Sequence, residues 1–345
     1  MPTYRDLAAY VRGPAHAPPL PAIWDFFPCH AAAVGGVPSF LRYYLDPEEK
    51  VAVQRRLAAL VPEALILPGV FPDLGVVVEA SAFGGQLVWF EDGAPFIGPA
   101  LHDPSEIDRL TLPPPGRAGL MPLLLSQRES MRRALRGAGR EMERFGFSMG
   151  PAEIAGLVMG YDRFYLAMCD EPDRIVRLMA LAAELVIGWL REQARACGGL
   201  EVLAVAEHVF HQVSPAHARR FILPCLQTIF AQFPETVRIY HNEGRHAEAH
   251  IEMVPALGAD IWHFGSDAHL VPDLLDRVGE RVVLFGGLNP HGVIRHGTPA
   301  EVRAEARAVV AAAAGRRLIL STGTGTTPDT PLENQRAMVE AALGA

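Results

Sequence analysis

The sequence holds 345 residues, half of them apolar and a fifth charged, which supports a sizeable buried core and excludes disordered and fibrous classes. Its 31 Lys plus Arg against 39 Asp plus Glu give a net charge of −8, and no like-charged block is dense enough to form an arm for nucleic acid. The longest apolar stretch, residues 178–190, contains Glu184 and falls well short of the roughly 20 residues that span a bilayer. In chain order, the first strand is expected in "PAIWDFF" (21–27), followed by a helix start at "DPEE" (46–49) and a strand in "ALILPGV" (64–70). Residues 72–101 scatter Gly84, Gly85, Gly93, Pro95 and Gly98 among aromatics, the pattern of a hairpin-bearing insertion. A helix start at "DPSE" (103–106) precedes a strand at 143–148. After a cap at Asp170, residues Ile175, Leu178, Met179, Ala182, Leu185, Val186 and Trp189 follow helical spacing. Further strands are expected at 200–206, 236–240, 260–264, 281–285 and 317–320, with helix starts at "SPAH" (214–217), "TPAE" (298–301) and "TPLE" (330–333). Eight strands alternating with helices predict an α/β chain forming a single (β/α)8 TIM-type barrel domain over residues 1–345.

The opening lacks the pattern of a secretory signal, and Cys29, Cys169, Cys197 and Cys225 show no CxxC spacing. Reduced thiols and a cytoplasmic location are expected, with neither membrane nor nucleic acid as partner.

In such a barrel, chemistry gathers where strands run out into the following loops. Those positions here supply Asp25 and His30, then Glu207 and His208, then His241, Asn242 and Glu243, then His263 and Asp267. The segment "FGGLNPHG" adds Asn289 and His291, and "ILSTGTGTTPDTP" adds Ser321, Thr322 and Thr324. An extended strand through residue 243 would put His241 and Glu243 on one face. Imidazole and carboxylate together suit Zn²⁺ when thiolates are absent. His208, His211, His246, His250, His269 and His296 read as solvated or helix-surface positions. No P-loop, GxSxG or first-turn GxGxxG appears.

From about residue 20 onward the chain resembles the uroporphyrinogen decarboxylase superfamily, chiefly through "GGLNPHGVIRHGTPAEV" (286–302) and "LILSTGTGTTPDTPLENQRAMVEA" (318–341). The resemblance implies a UroD-like barrel with its site at the strand C-termini. Porphyrinogen decarboxylases of this family open with an arginine segment that grips propionates, whereas "PAIWDFFPCH" carries no arginine. Corrinoid-linked methyltransferases of the same superfamily hold zinc through a HxC pair and a distant Cys. By position, His241 matches the His, Glu243 replaces the first Cys and Thr324 the second.

The resemblance thus implies a methyltransferase or demethylase moving a methyl group between a small ether, amine or folate-type molecule and a corrinoid. A partner protein would carry the corrinoid, since nothing here resembles a DxHxxG cobalamin loop. Zinc is expected on His241 and Glu243 with Glu207 as third ligand. An acid among Asp25, His30 and His263 would protonate the leaving group, and Asn242, Asn289 and Thr324 would bind substrate. Two alternatives stand beside it: decarboxylation of a porphyrinogen or another electron-rich acid, and a non-catalytic barrel that only binds a corrinoid.

Overall fold

Runs of branched and aromatic residues become strands because such side chains pack well on a pleated, buried surface. In the computed structural model, which describes residues 2–26 and 39–344, eight of them form one parallel sheet. They are β1 (Leu20–Trp24), β2 (Leu65–Leu67), β3 (Phe145–Met149), β4 (Val202–Ala206), β5 (Val237–Asn242), β6 (Ile261–Phe264), β7 (Val283–Leu288) and β8 (Leu318–Thr322). Their order is β2-β1-β8-β7-β6-β5-β4-β3. Each lies within or against one of the eight predicted runs. The largest extension is at β7, which runs three residues past Phe285 because Gly286 and Gly287 continue it with φ of 143° and 133°, backbone that L side chains avoid; β1 and β2 each end three residues before the expected run does.

Alternate residues of all eight strands meet in one interior. Trp24, Leu67, Phe145, Ala204, Ile239, Ile261, Phe285 and Ile319 belong to a single buried cluster, plugged at one end by Tyr4 and Leu7 of helix α1 (Tyr4–Arg12). The residues between them, such as Leu203, Tyr240, Trp262, Leu284 and Leu320, face outward into a second layer under the helices. The sheet therefore curls, but its hydrogen-bonded ladder does not close. Among the described residues β2 and β3 each have one ladder neighbour, and the seam between them is filled by side chains, Phe71 meeting Phe145 edge-on at 5.7 Å.

Helix α2 (Pro47–Leu60) starts as expected, with the Asp46 carboxylate accepting from the amides of Glu48 and Glu49. It buries Lys50, the single lysine of the sequence, at 0% exposure. The Lys50 ammonium donates to the Tyr44 carbonyl at 2.6 Å and to Gln127 of helix α3 (Met121–Gly137). Burial pulls its pKa down to about 7.

Between β2 and α3, two-residue strands at Leu87–Val88 and Phe96–Ile97 pair antiparallel. Helix α4 (Pro151–Met159) follows β3, and α5 (Pro172–Cys197) buries the predicted stripe from Ile175 to Trp189. Asp170 does not cap α5. It ends the preceding helix, and Glu171 precedes Pro172 without a side-chain bond, since the residue before a proline is steered out of helical geometry.

Helix α6 (Pro299–Ala312) carries a full capping box between Thr298 and Glu301. The last helix, α7 (Leu332–Leu343), begins after Pro331, while the Thr330 hydroxyl pairs with that of Thr327 instead of capping it. No helix among the described residues is long and apolar enough to cross a membrane.

Candidate metal centre and comparison with known proteins

Parallel pairing sets Ala206 at the end of β4 beside His241 near the end of β5, so the turns after both strands converge. His208 comes from the first of these turns and Glu243 from the second. The His208 Nε2 atom lies 2.7 Å from Glu243 Oε2, and His241 Nε2 lies 3.2 Å from the same oxygen. One donor atom from each of the three residues falls within 4.8 Å of the others. The strand itself ends at Asn242, so His241 and Glu243 reach this point from the strand end and the following loop.

Each imidazole is held from behind. The Glu153 carboxylate, in the first turn of α4, accepts the His208 amide at 2.9 Å and meets His208 Nδ1 at 3.0 Å. Tyr161 donates to the other oxygen of Glu153 at 2.5 Å. His241 stacks on Trp24 with 5.0 Å between centroids and 20° between planes. Its Nδ1 meets His263 Nδ1 at 2.8 Å, and His263 Nε2 lies 3.3 Å from the Thr322 carbonyl.

The chain of bonds fixes the tautomers. A carbonyl only accepts, so His263 donates from Nε2 and presents a bare Nδ1. His241 must then donate from Nδ1, which leaves its Nε2 as a lone pair aimed at the Glu243 carboxylate. Burial depresses the pKa of His241 to about 4 and that of His263 well below its usual value, so both rings are neutral near pH 7. Two acceptors 3.2 Å apart repel unless something positive lies with them.

In the metal-free protein that charge sits on His208. Burial works against protonation there, but Glu153 and Glu243 on either side override it and lift the pKa to about 10. Burial would likewise raise the Glu243 pKa, yet the charged His208 beside it holds it far below the usual carboxylate range. The 2.7 Å approach of His208 to Glu243 is an ion-pair distance without hydrogen-bond alignment, and neither atom has another hydrogen-bond partner. Two imidazole nitrogens and a carboxylate oxygen are also the donor set of catalytic zinc sites that keep a fourth position open. The residues present fit such an ion.

Several expected site residues lie elsewhere. Glu207 is not the third member of the cluster; that place belongs to His208. The Glu207 side chain is fully buried and turned to the start of α4, where it accepts the Ala152 amide at 2.8 Å. Asn242 is spent on scaffolding and is not free to bind substrate, because its amide donates to the Glu207 carbonyl and the Tyr240 hydroxyl and accepts from the Gly244 amide. The Asn289 Oδ1 accepts the His291 amide within its own turn.

His263 has no exposure and is held neutral, so it orients His241 and does not serve as an acid at the mouth. Asp25 is buried just past β1, its backbone amide donating to the Leu67 carbonyl. His30 lies outside the described residues. Thr324 stands in the loop after β8 with φ of 70°, a strained conformation for a β-branched residue.

His246 and His250, expected on the surface, are buried at 4% and 2% exposure, with His246 bonded to the Gly244 carbonyl and near the Tyr240 hydroxyl. Sequence reasoning missed Glu153 and Tyr161 altogether. Glu153 was hidden because "GPAE" (150–153) reads as an ordinary helix start, in which the carboxylate needs no further role.

A family profile described as uroporphyrinogen decarboxylase (URO-D) matches residues 20–344. The chain belongs to the uroporphyrinogen decarboxylase family. Within that family, it is similar to a uroporphyrinogen decarboxylase from Synechococcus sp. (strain CC9605), 25% identical over 315 residues that cover 88% of this chain and 85% of the relative. It is also similar to a methylated-thiol–coenzyme M methyltransferase from Methanosarcina mazei, 23% identical over 291 residues, 83% of this chain and 75% of the relative. A solved structure described as a methyltransferase from Methanosarcina mazei superposes with a TM-score of 0.81 at 20% identity, covering 99% of this chain and 98% of the other. That superposition establishes the UroD-like barrel fold.

Proposed function

We propose that this family member is a methyltransferase or demethylase that moves a methyl group between a small methylated molecule and a corrinoid carried by a partner protein, with zinc held by His208, His241 and Glu243. The observation that carries the reading is the bare Nε2 of His241 facing a carboxylate beside His208, an arrangement that a divalent cation completes. A methylated-thiol methyltransferase among the relatives supports it.

When bound, the ion supplies Lewis acidity toward the heteroatom that bears the methyl group. The chain's own residues do the rest. Glu153 and His263 keep the two imidazoles in register, as carboxylates and neighbouring groups behind metal ligands do. Trp24 and Phe26, the latter 4.7 Å from Phe147 between ring centroids, build an aromatic wall that keeps water from one side of the mouth. Oxygen in place of thiolate at position 243 makes for a harder ligand set and favours an ether, amine or folate-type methyl donor over a thiol.

Decarboxylation of a porphyrinogen is the second reading, because relatives carry that name. Against it, residues 20–38 contain neither Arg nor Lys to grip propionates. Metal analysis of the purified protein, followed by anaerobic incubation with cob(I)alamin and a panel of methyl ethers and amines, tests the proposal. Stoichiometric zinc with methylcobalamin formation is the expected result; metal-free protein that consumes uroporphyrinogen would replace it with the second reading.

A further inference from the structure

At the end of the barrel opposite the metal centre, the start of α1, one face of α3 and the beginnings of β3 and β4 enclose a cavity of about 550 Å³. Arg5, Arg128, Arg132, Arg136 and Arg144 line it, against Glu141, Glu143 and Glu201. In a chain of net charge −8 this is a local excess of cations. Arg144 is held by Glu201 at 2.7 Å and Arg136 lies 3.8 Å from Glu141. Arg132 pairs with Glu129, whose side chain is 44% exposed, a contact that water screens and that costs little to give up. Arg5 makes no ion pair among the described residues.

Arg128 is the unusual member. It is 2% exposed, its Nη2 donates to the Phe145 carbonyl and its Nη1 to the Cys197 sulfur, both at 2.8 Å, and its plane lies over the Phe71 ring. Its Nε has no partner, and among the described residues none of its nitrogens meets a carboxylate. Glu143, in the same lining, acts on Arg128 through its charge but spends its Oε2 on the Val70 amide at 3.0 Å. A buried guanidinium with no carboxylate in hydrogen-bond contact is costly, and its planar fork matches oxyanions in particular.

We propose that this cavity is a binding site for a compact oxyanion of two or more charges, of the phosphate or pyrophosphate kind, gripped by Arg5, Arg128 and Arg132. Arg128 reaches from α3 across to β3 and over Phe71 beyond β2, so an occupant would brace the seam that the strand ladder leaves open. The site is distinct from the metal centre and does not depend on the activity proposed for it.

Titration calorimetry of the whole protein with inorganic pyrophosphate, at a fixed ionic strength of about 0.1 M set with chloride, tests it. The expected result is saturable one-to-one binding with a Kd below about 1 mM, weakened at least about tenfold in the double variant R5Q/R132Q and unchanged in H241A. R128Q should abolish binding if it folds; the double variant, whose side chains are less buried, keeps the test independent of that outcome. Absence of saturable heat up to about 10 mM pyrophosphate, equal affinity in R5Q/R132Q and parent, or loss confined to H241A would each overturn the proposal.

Discussion

His241 faces Glu243 with a bare ring nitrogen, and replacing either residue tests one contact with two readouts. H241A and E243A should each lower bound metal and methyl transfer together, by at least the roughly 10- to 100-fold typical of changes just behind a metal site. Melting temperature should also fall in H241A, because His241 is buried, stacks on Trp24 and bonds to His263, so metal content and methyl transfer are the deciding readouts. Unchanged metal content with a lowered melting temperature would leave the pair as internal hydrogen-bonding scaffolding, worth about 1 to 3 kcal/mol. E153Q, which removes the charge behind His208 without being a ligand itself, should weaken metal affinity by a similar factor and be seen in a zinc competition assay with a chromophoric chelator.

The charge on His208 makes a separate prediction about pH. Its pKa in the folded protein is about 10 against an ordinary 6.5, so in metal-free protein it adds stability that is fully present below about pH 6.5 and lost as pH rises through 10. Glu243, whose pKa is depressed from an ordinary 4.5, adds stability present above about pH 4.5 and lost on acidification. The melting-temperature gap between metal-free parent and H208Q should therefore be widest near pH 6 and shrink steadily toward pH 10. A gap constant across that range would show that His208 is not the proton carrier.

Among the elements, strands were readable because short branched runs between turn residues leave few other structures open to them. The cap at Thr298 was readable for a similarly local reason, its hydroxyl and Glu301 satisfying each other's amides. T298A should cost about 1 kcal/mol, measurable as a shift in denaturant midpoint at unchanged slope. His241 and Glu243 could be picked out because both lie on one short stretch. His208 and Glu153 could not, since their meeting depends on α4, β4 and β5 lying side by side, which no local spacing encodes. Asn242 misled for the opposite reason: its position at a strand end looked like a substrate contact, while its contacts run to the Glu207 carbonyl and the Tyr240 hydroxyl.

For the whole molecule, the division of labour proposed above has a visible consequence. No segment of the sequence resembles a cobalamin-binding loop, so the protein should purify colourless; a stoichiometric corrinoid spectrum would show that the cofactor is held here after all. Lys50 offers a different handle on the intact fold. Because it is the only lysine and has no exposed surface, a lysine-specific protease meets a single peptide bond, inside α2 with its side chain turned to α3, and the native protein should resist it. Cleavage then reports only those openings that lift α2 from its neighbours. Its rate under native conditions becomes a single-site clock for how often this side of the barrel breathes, and comparing that rate with and without zinc or pyrophosphate would show whether either end of the barrel is felt there.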